Sequence, residues 1–436
     1  CLSQPSRFQC LNRWRRIEAM KVLDNMPMEG APWYEKGVKW VSPMNFDPAV
    51  MPESTSKRVY IHDVTLRDGE QTCGLNWTED ERVEIAVALD DLGVDRIEVG
   101  MPAVSEDISR AISRLVKMNL RATIVPFARC VKGDIDAAVD AGASHIVVEH
   151  AVNPYTCYYA YNVDREKLID RIVSSVNYAK EQGLRTTFMG WDVTRARLDY
   201  VLGVYEQVVA EAKPEAVVFT DSFGVATPNA IYHAIRQLKT RLPGVRVEFH
   251  VHNEFGMAMG SVLAAVYAGV DGIHSSINAL GERTGNVATE EVAATLKLLL
   301  NIDTGVDISK LGDVCGMVQR ITGIAPAYNK PVTGTRLFWL ESGVVVDAKT
   351  KMEAAGLVPA MCPYMPEVVG HSPIEVVMGG SSGKASVKYF LDQRGTTCTD
   401  EEVEEILAKV KDYGRKVRRV LEPQEIDSII NEVLGK

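Results

Sequence analysis

The chain has no hydrophobic run long enough to span a bilayer, so no membrane role is expected. It has no Cys-x-x-Cys pair; its eight cysteines stand singly at 1, 10, 73, 130, 157, 315, 362 and 398. Scattered thiols argue against a disulfide framework and for a reducing, cytoplasmic setting. There is no dense stripe of lysine and arginine, and the formal net charge of −10 argues against a nucleic-acid partner. No Gly-x-Gly-x-x-Gly follows the first expected strand, which counts against an open nucleotide-binding sheet.

What is present is bulk. With 436 residues, 46% of them hydrophobic, the chain can bury a core the size of a barrel with an appendage. Residues 1–57 read as an N-terminal extension. Its first nineteen residues begin at Cys1, set Arg7, Arg13, Arg15 and Arg16 against Glu18, and lack the apolar core of a secretory signal. An organellar transit peptide is one reading, and a native start at Met20 is the other.

From residue 58 the chain alternates short β-rich runs with amphipathic helices. Strands are expected at 58–66, 94–100, 121–128, 145–150, 184–191, 216–222, 245–252 and 272–278. Between them, Thr78-Glu79-Asp80-Glu81 makes a capping box, a helix fits 164–182, and another starts at Pro228. Helix-ending glycines at 93, 142, 183 and 269 each precede a strand. Eight such units predict a (β/α)8 barrel over 58–303. The beat then stops. Residues 304–436 read as a smaller mixed region that ends in a helical tail, with Thr399 as a cap and PQEIDSIINEVL as the last helix.

The strand VRVEFHVH puts Val245, Val247, Phe249 and Val251 on one face and Arg246, Glu248, His250 and His252 on the other. In a barrel the apolar face meets the helices, so both histidines point inward at the C-terminal end, where barrel active sites lie. The first strand delivers Arg67-Asp68-Gly69-Glu70-Gln71 to the same rim, and the last delivers Gly281-Glu282-Arg283-Thr284-Gly285-Asn286. Asp68, His250, His252 and the Asn286 carbonyl would form a mixed N/O site for Mg²⁺, Mn²⁺ or Zn²⁺ used as a Lewis acid. The last of these loops could equally cap the helix that starts near Thr289.

The motifs VTLRDGEQ, DSFGVATP, HVHNEFGMA and ALGERTGNVATEEV together resemble the Claisen-condensing acyltransferases. These are the isopropylmalate, homocitrate, citramalate and re-face citrate synthases, with the HMG-CoA lyases as relations. The likeness covers 58–300, with weaker marks at Lys330-Pro331-Val332-Thr333-Gly334 and Gly380-Ser381-Ser382-Gly383-Lys384. Lyases carry a reactive cysteine in the loop corresponding to 281–286, and this chain has none there.

The resemblance implies condensation of acetyl-CoA with a 2-oxo acid held by a divalent metal, in a homodimer. It assigns Asp68, His250, His252 and Asn286 as metal ligands and Arg67 as donor to the keto oxygen. Ser222 holds the substrate carboxylate, Glu98 is an interior polar partner with a catalytic role, and Arg129 meets an anionic group or forms a rim salt bridge. Two usual acid–base positions differ, since Trp191 stands for a glutamate and Val345 for a histidine. Asp192, Glu341 or a tyrosine among 155, 158, 159 and 161 is therefore expected as an alternative base. The acceptor reading leans to oxaloacetate, with homocitrate or isopropylmalate synthesis as the alternative. C–C cleavage and a non-catalytic binding role are the more distant readings.

Overall fold

The computed structural model describes residue 28 and residues 30–435, so the arginine-rich stretch lies outside the described residues. Eight strands pair side by side in sequence order: β1 Tyr60–Asp63, β2 Arg96–Gly100, β3 Thr123–Arg129, β4 His145–Ala151, β5 Arg185–Trp191, β6 Ala216–Asp221, β7 Arg246–Val251 and β8 Gly272–Ser275. All are parallel, and β8 closes onto β1 through the register His274 with His62. This is the (β/α)8 barrel that the strand–helix beat implies, and each strand lies close to its expected range.

Alternation sorts the side chains. On β4, Ile146 and Val148 face outward and pack with Ile135, Ala138 and Ala179 of the surrounding helices. Val147 faces inward and packs with Val125, Phe127, Met189 and Val218. The expected local signals hold. Thr78 and Glu81 form the capping box of helix Glu79–Leu92, Asp164 caps Arg165–Glu181, and Pro228 opens Pro228–Arg241. Gly93 ends its helix at φ 109° where a Cβ would overlap the Gly305 carbonyl, so only glycine fits.

Two compact units are present, and their boundary differs from the one read at residue 303. The barrel unit takes in residues 47–337 and 366–372. It includes helix Leu311–Thr322, which the Gly- and Pro-rich composition after 303 concealed. The second unit is built from 30–46, 338–365 and 373–435 among the described residues. Its core is Met378, Val387, Leu391, Val403, Ile406, Val410, Leu421, Ile426, Ile429 and Ile430. Helices Asp400–Val417 and Pro423–Leu434 are the expected tail, and Thr399 with Glu402 forms the cap of the first. No helix of the described residues is long and apolar enough to cross a membrane.

Candidate metal and oxo-acid site

At the C-terminal rim, β7 carries His250 inward, and His252 follows directly after the strand. Their Nε2 atoms lie 3.2 Å apart, and Asp68 Oδ2 sits 3.3 Å from one and 3.6 Å from the other. All three residues are buried. Asp68 Oδ1, both Nδ1 atoms and Asn286 Oδ1 are buried with no hydrogen-bond partner. The two Nε2 atoms and an Asp68 oxygen form one convergent N/O donor set, and native interiors rarely leave an acceptor such as Asn286 Oδ1 unpaired. The residues fit a divalent cation.

The Asn286 amide nitrogen donates to the Leu280 carbonyl at 2.9 Å, which leaves its oxygen as the free donor atom. Thr72 pins this loop to the first-strand turn: its hydroxyl donates to the Gly281 carbonyl at 3.2 Å and accepts from Gly281 N at 2.9 Å. The loop does not cap the next helix, because Ala288 is the N-cap residue and makes no side-chain bond. Burial alone would raise the Asp68 pKa, but Arg67, His250 and His252 outweigh it and hold the carboxyl well below its ordinary range. Burial, with His250 beside it, lowers His252 to about 3, so its ring stays neutral and able to ligate.

Arg67 is buried over the Phe127 ring, 4.5 Å from its centre. Its Nε donates to Glu98 Oε1, and its Nη1 lies 3.2 Å from Asp68 Oδ2. Burial opposes ionisation of Glu98, while Arg67 and His62 bring its pKa down to about 2. Glu98 Oε2 lies 3.0 Å from His62 Nε2, and His62 stacks on His274 with centroids 4.1 Å apart. His274 in turn meets Glu248 at 2.8 Å. Glu248 also accepts from Arg96 at 2.8 Å and from the Tyr60 hydroxyl at 2.5 Å, which fills the lower barrel with a polar plug. Glu98 thus meets the site through Arg67.

The remaining expected residues are placed as follows. Both Asp192 oxygens pair with Arg195, at 2.6 and 2.7 Å, and Oδ2 also accepts from Thr156 at 3.0 Å. Asp192 is fully buried, and a carboxylate so engaged is a poor base. Ser222 Oγ accepts from Asp192 N at 2.8 Å. Arg129 makes the rim salt bridge, with its Nε 2.7 Å from Asp134 Oδ2 and its Nη2 3.0 Å from Oδ1. Tyr155, Tyr158, Tyr159 and Tyr161 are exposed, so they are not core packing. In the second unit, Glu341 Oε1 accepts from Ser381 N at 2.7 Å.

Sequence reasoning missed Glu149. It lies on the inward face of β4, one layer above Val147 and in register with Met189. The available signal was a carboxylate at an inward position of an otherwise apolar run.

The fold and donor set define a (β/α)8 barrel with a buried cluster suited to a divalent cation. Residues 58–318 match the HMGL-like family, and the chain belongs to it. The chain is 36% identical to a 2-isopropylmalate synthase of Methanocaldococcus jannaschii over 386 residues, covering 87% of this chain and 72% of that protein. It is 33% identical to a homocitrate synthase of the same organism over 404 residues, covering 92% and 96%. The hydroxymethylglutaryl-CoA lyase structure from Pseudomonas aeruginosa matches with a TM-score of 0.56 at 24% identity, over 62% of this chain and 95% of that one, and shows the shared fold. The chain is an acyltransferase of the kind that converts the acyl group to alkyl on transfer. These relatives correct the lean to oxaloacetate, because their names belong to the alternative acceptors instead.

Proposed function

We propose that this enzyme condenses acetyl-CoA with a 2-oxo acid to give a 2-hydroxy dicarboxylic acid and CoA, with 2-oxoisovalerate as the acceptor. The carrying observation is the convergence of Asp68, His250, His252 and the unpartnered Asn286 oxygen beside the buried Arg67. When bound there, a divalent cation supplies Lewis-acid polarisation of the acceptor. Arg67, locked by Glu98 and stacked on Phe127, donates to the keto oxygen where negative charge develops. Ser222, which directly follows β6, supports the carboxylate of the acid.

Val125, Phe127, Val147, Met189 and Val218 form an inward apolar layer of the barrel, toward which the proposal directs the acceptor's side chain. An apolar layer suits an isopropyl group. Glu149 opposes a second carboxylate, and Arg129, the cation on β3, is held by Asp134. Both favour 2-oxoisovalerate over 2-oxoglutarate and oxaloacetate. The free thiols of Cys73, Cys130, Cys157, Cys315, Cys362 and Cys398 support work in a reducing compartment such as the cytoplasm. A homodimer is part of the proposal, and light scattering of the full chain would test it.

The decisive experiment measures thiol release from acetyl-CoA with each of 2-oxoisovalerate, 2-oxoglutarate, pyruvate and oxaloacetate, with and without Mg²⁺, Mn²⁺ or Zn²⁺. Release that needs both a cation and 2-oxoisovalerate supports the reading. No release with any acid sinks it, and preference for 2-oxoglutarate sinks the choice of acceptor.

A further inference from the structure

We propose that Glu149 is the general base that removes the methyl proton of acetyl-CoA. This rests on the condensation reading above and names the group which that reading leaves open.

The carboxylates around the mouth are otherwise committed. Asp68 belongs to the metal donor set, and Glu98 holds Arg67. Asp192 is paired with Arg195, and Glu254 with Arg283. Asp221 accepts from Thr194 and from the amides of Val225 and Ala226. Among the described residues, no side chain or amide hydrogen-bonds or ion-pairs with the Glu149 carboxylate. As a whole residue it is only partly buried. Its strand register sets it beside Met189 of β5 and Arg129 of β3.

The next inward side chain on β5 is Trp191, which packs toward Phe223 with ring centroids 6.0 Å apart. Strand β5 therefore offers apolar groups at this level, and β4 supplies the acid.

The charges facing Glu149 tune it for proton transfer. Burial raises its pKa, Arg67 lowers it, and Glu98 and Asp68 raise it further, to about 7. Tyr161, Tyr205 and Cys130 also feel its charge. A base poised near neutrality combines a populated carboxylate with useful driving force.

The step balances. The methyl C–H bond breaks, and the proton goes to a Glu149 oxygen. The electron pair delocalises into the thioester carbonyl. The enolate carbon bonds to the keto carbon, whose π pair moves to the oxygen beside Arg67. Glu149 returns its proton to that oxygen. Water then cleaves the thioester and the CoA thiol leaves.

The test compares wild type, Glu149→Gln, Glu149→Asp and Glu149→Ala by thiol release, by deuterium uptake into the acetyl-CoA methyl in D₂O, and by calorimetric Mn²⁺ binding. Expected for Glu149→Gln is a kcat loss of about 10²-fold or more, loss of deuterium uptake, and near-constant KM for the acid. Mn²⁺ binding should persist in it. Glu149→Asp should keep part of the rate, and added formate should raise that of Glu149→Ala. If Glu149→Gln binds Mn²⁺ and keeps kcat within about tenfold of wild type, or loses only KM, the base assignment is overturned while the condensation reading stands. A wild type with no thiol release overturns both.

Discussion

A guanidinium gripped by one carboxylate, flanked by a second and stacked on a ring has little freedom left. Arg67 bonds to Glu98, lies beside Asp68 and stacks on Phe127. Such a donor loses little entropy when a keto oxygen arrives, and its planar fork is what a lysine lacks. Arg67→Lys should therefore lower kcat by about 10²–10³-fold, the usual cost of losing a preorganised oxyanion donor. Initial-rate measurements would check this, and an unchanged kcat would remove Arg67 from the role. His250→Ala should abolish calorimetric Mn²⁺ binding, because only Asp68, His252 and Asn286 would remain of the donor set. Undiminished affinity would show that the ligands are misassigned. At this scale the sequence was informative where alternation was clean. Val247, Phe249 and Val251 forced His250 and His252 inward. Asp192 misled, because only folding brings Arg195 and Thr156 onto both its oxygens.

The loop 281–286 behaves as a fitted part. Gly285 sits at φ 80°, and a Cβ there would overlap the Ala279 carbonyl. Gly281 stands against the Asn286 side-chain nitrogen in the same way. Gly285→Ala should displace Asn286 and weaken Mn²⁺ binding, with a stability loss of about 1–3 kcal/mol from the strained backbone. Calorimetry with urea unfolding measures both, and preserved affinity would uncouple loop shape from ligation. Helix ends give a contrasting case. Thr78→Ala removes a capping box far from the donor atoms, so it should cost about 1 kcal/mol while leaving kcat intact. Elements with periodic cores and caps were readable from sequence. Helices Leu311–Thr322 and Gly343–Ala354 were not, because the Gly- and Pro-bearing segments around them blur the 3.6-residue period.

For the whole molecule, binding energy and folding energy share one ledger. A cation that binds only the folded chain adds about 2.7 kcal/mol at a hundred times its Kd. Thermal unfolding should therefore shift upward with Mn²⁺ in wild type and stay put in His250→Ala. Lys330, from the KPVTG segment, is buried in the barrel unit, 2.9 Å from Glu290 and 2.6 Å from Glu291. Burial opposes its charge, but the two glutamates prevail and raise its pKa. A raised lysine stabilises fully below its unfolded value of about 10.4 and loses that contribution only as pH climbs through the folded one. Lys330→Met should cost about 3–5 kcal/mol at neutral pH by stranding Glu290.

The plug of Tyr60, Arg96, Glu248 and His274 makes the barrel a cup with one opening. Reactants must then queue: the small acid enters first, and the bulky thioester closes over it. A non-reactive 2-hydroxy analogue of the acid should accordingly inhibit competitively against the acid and noncompetitively against acetyl-CoA, and CoA should leave before the new acid can.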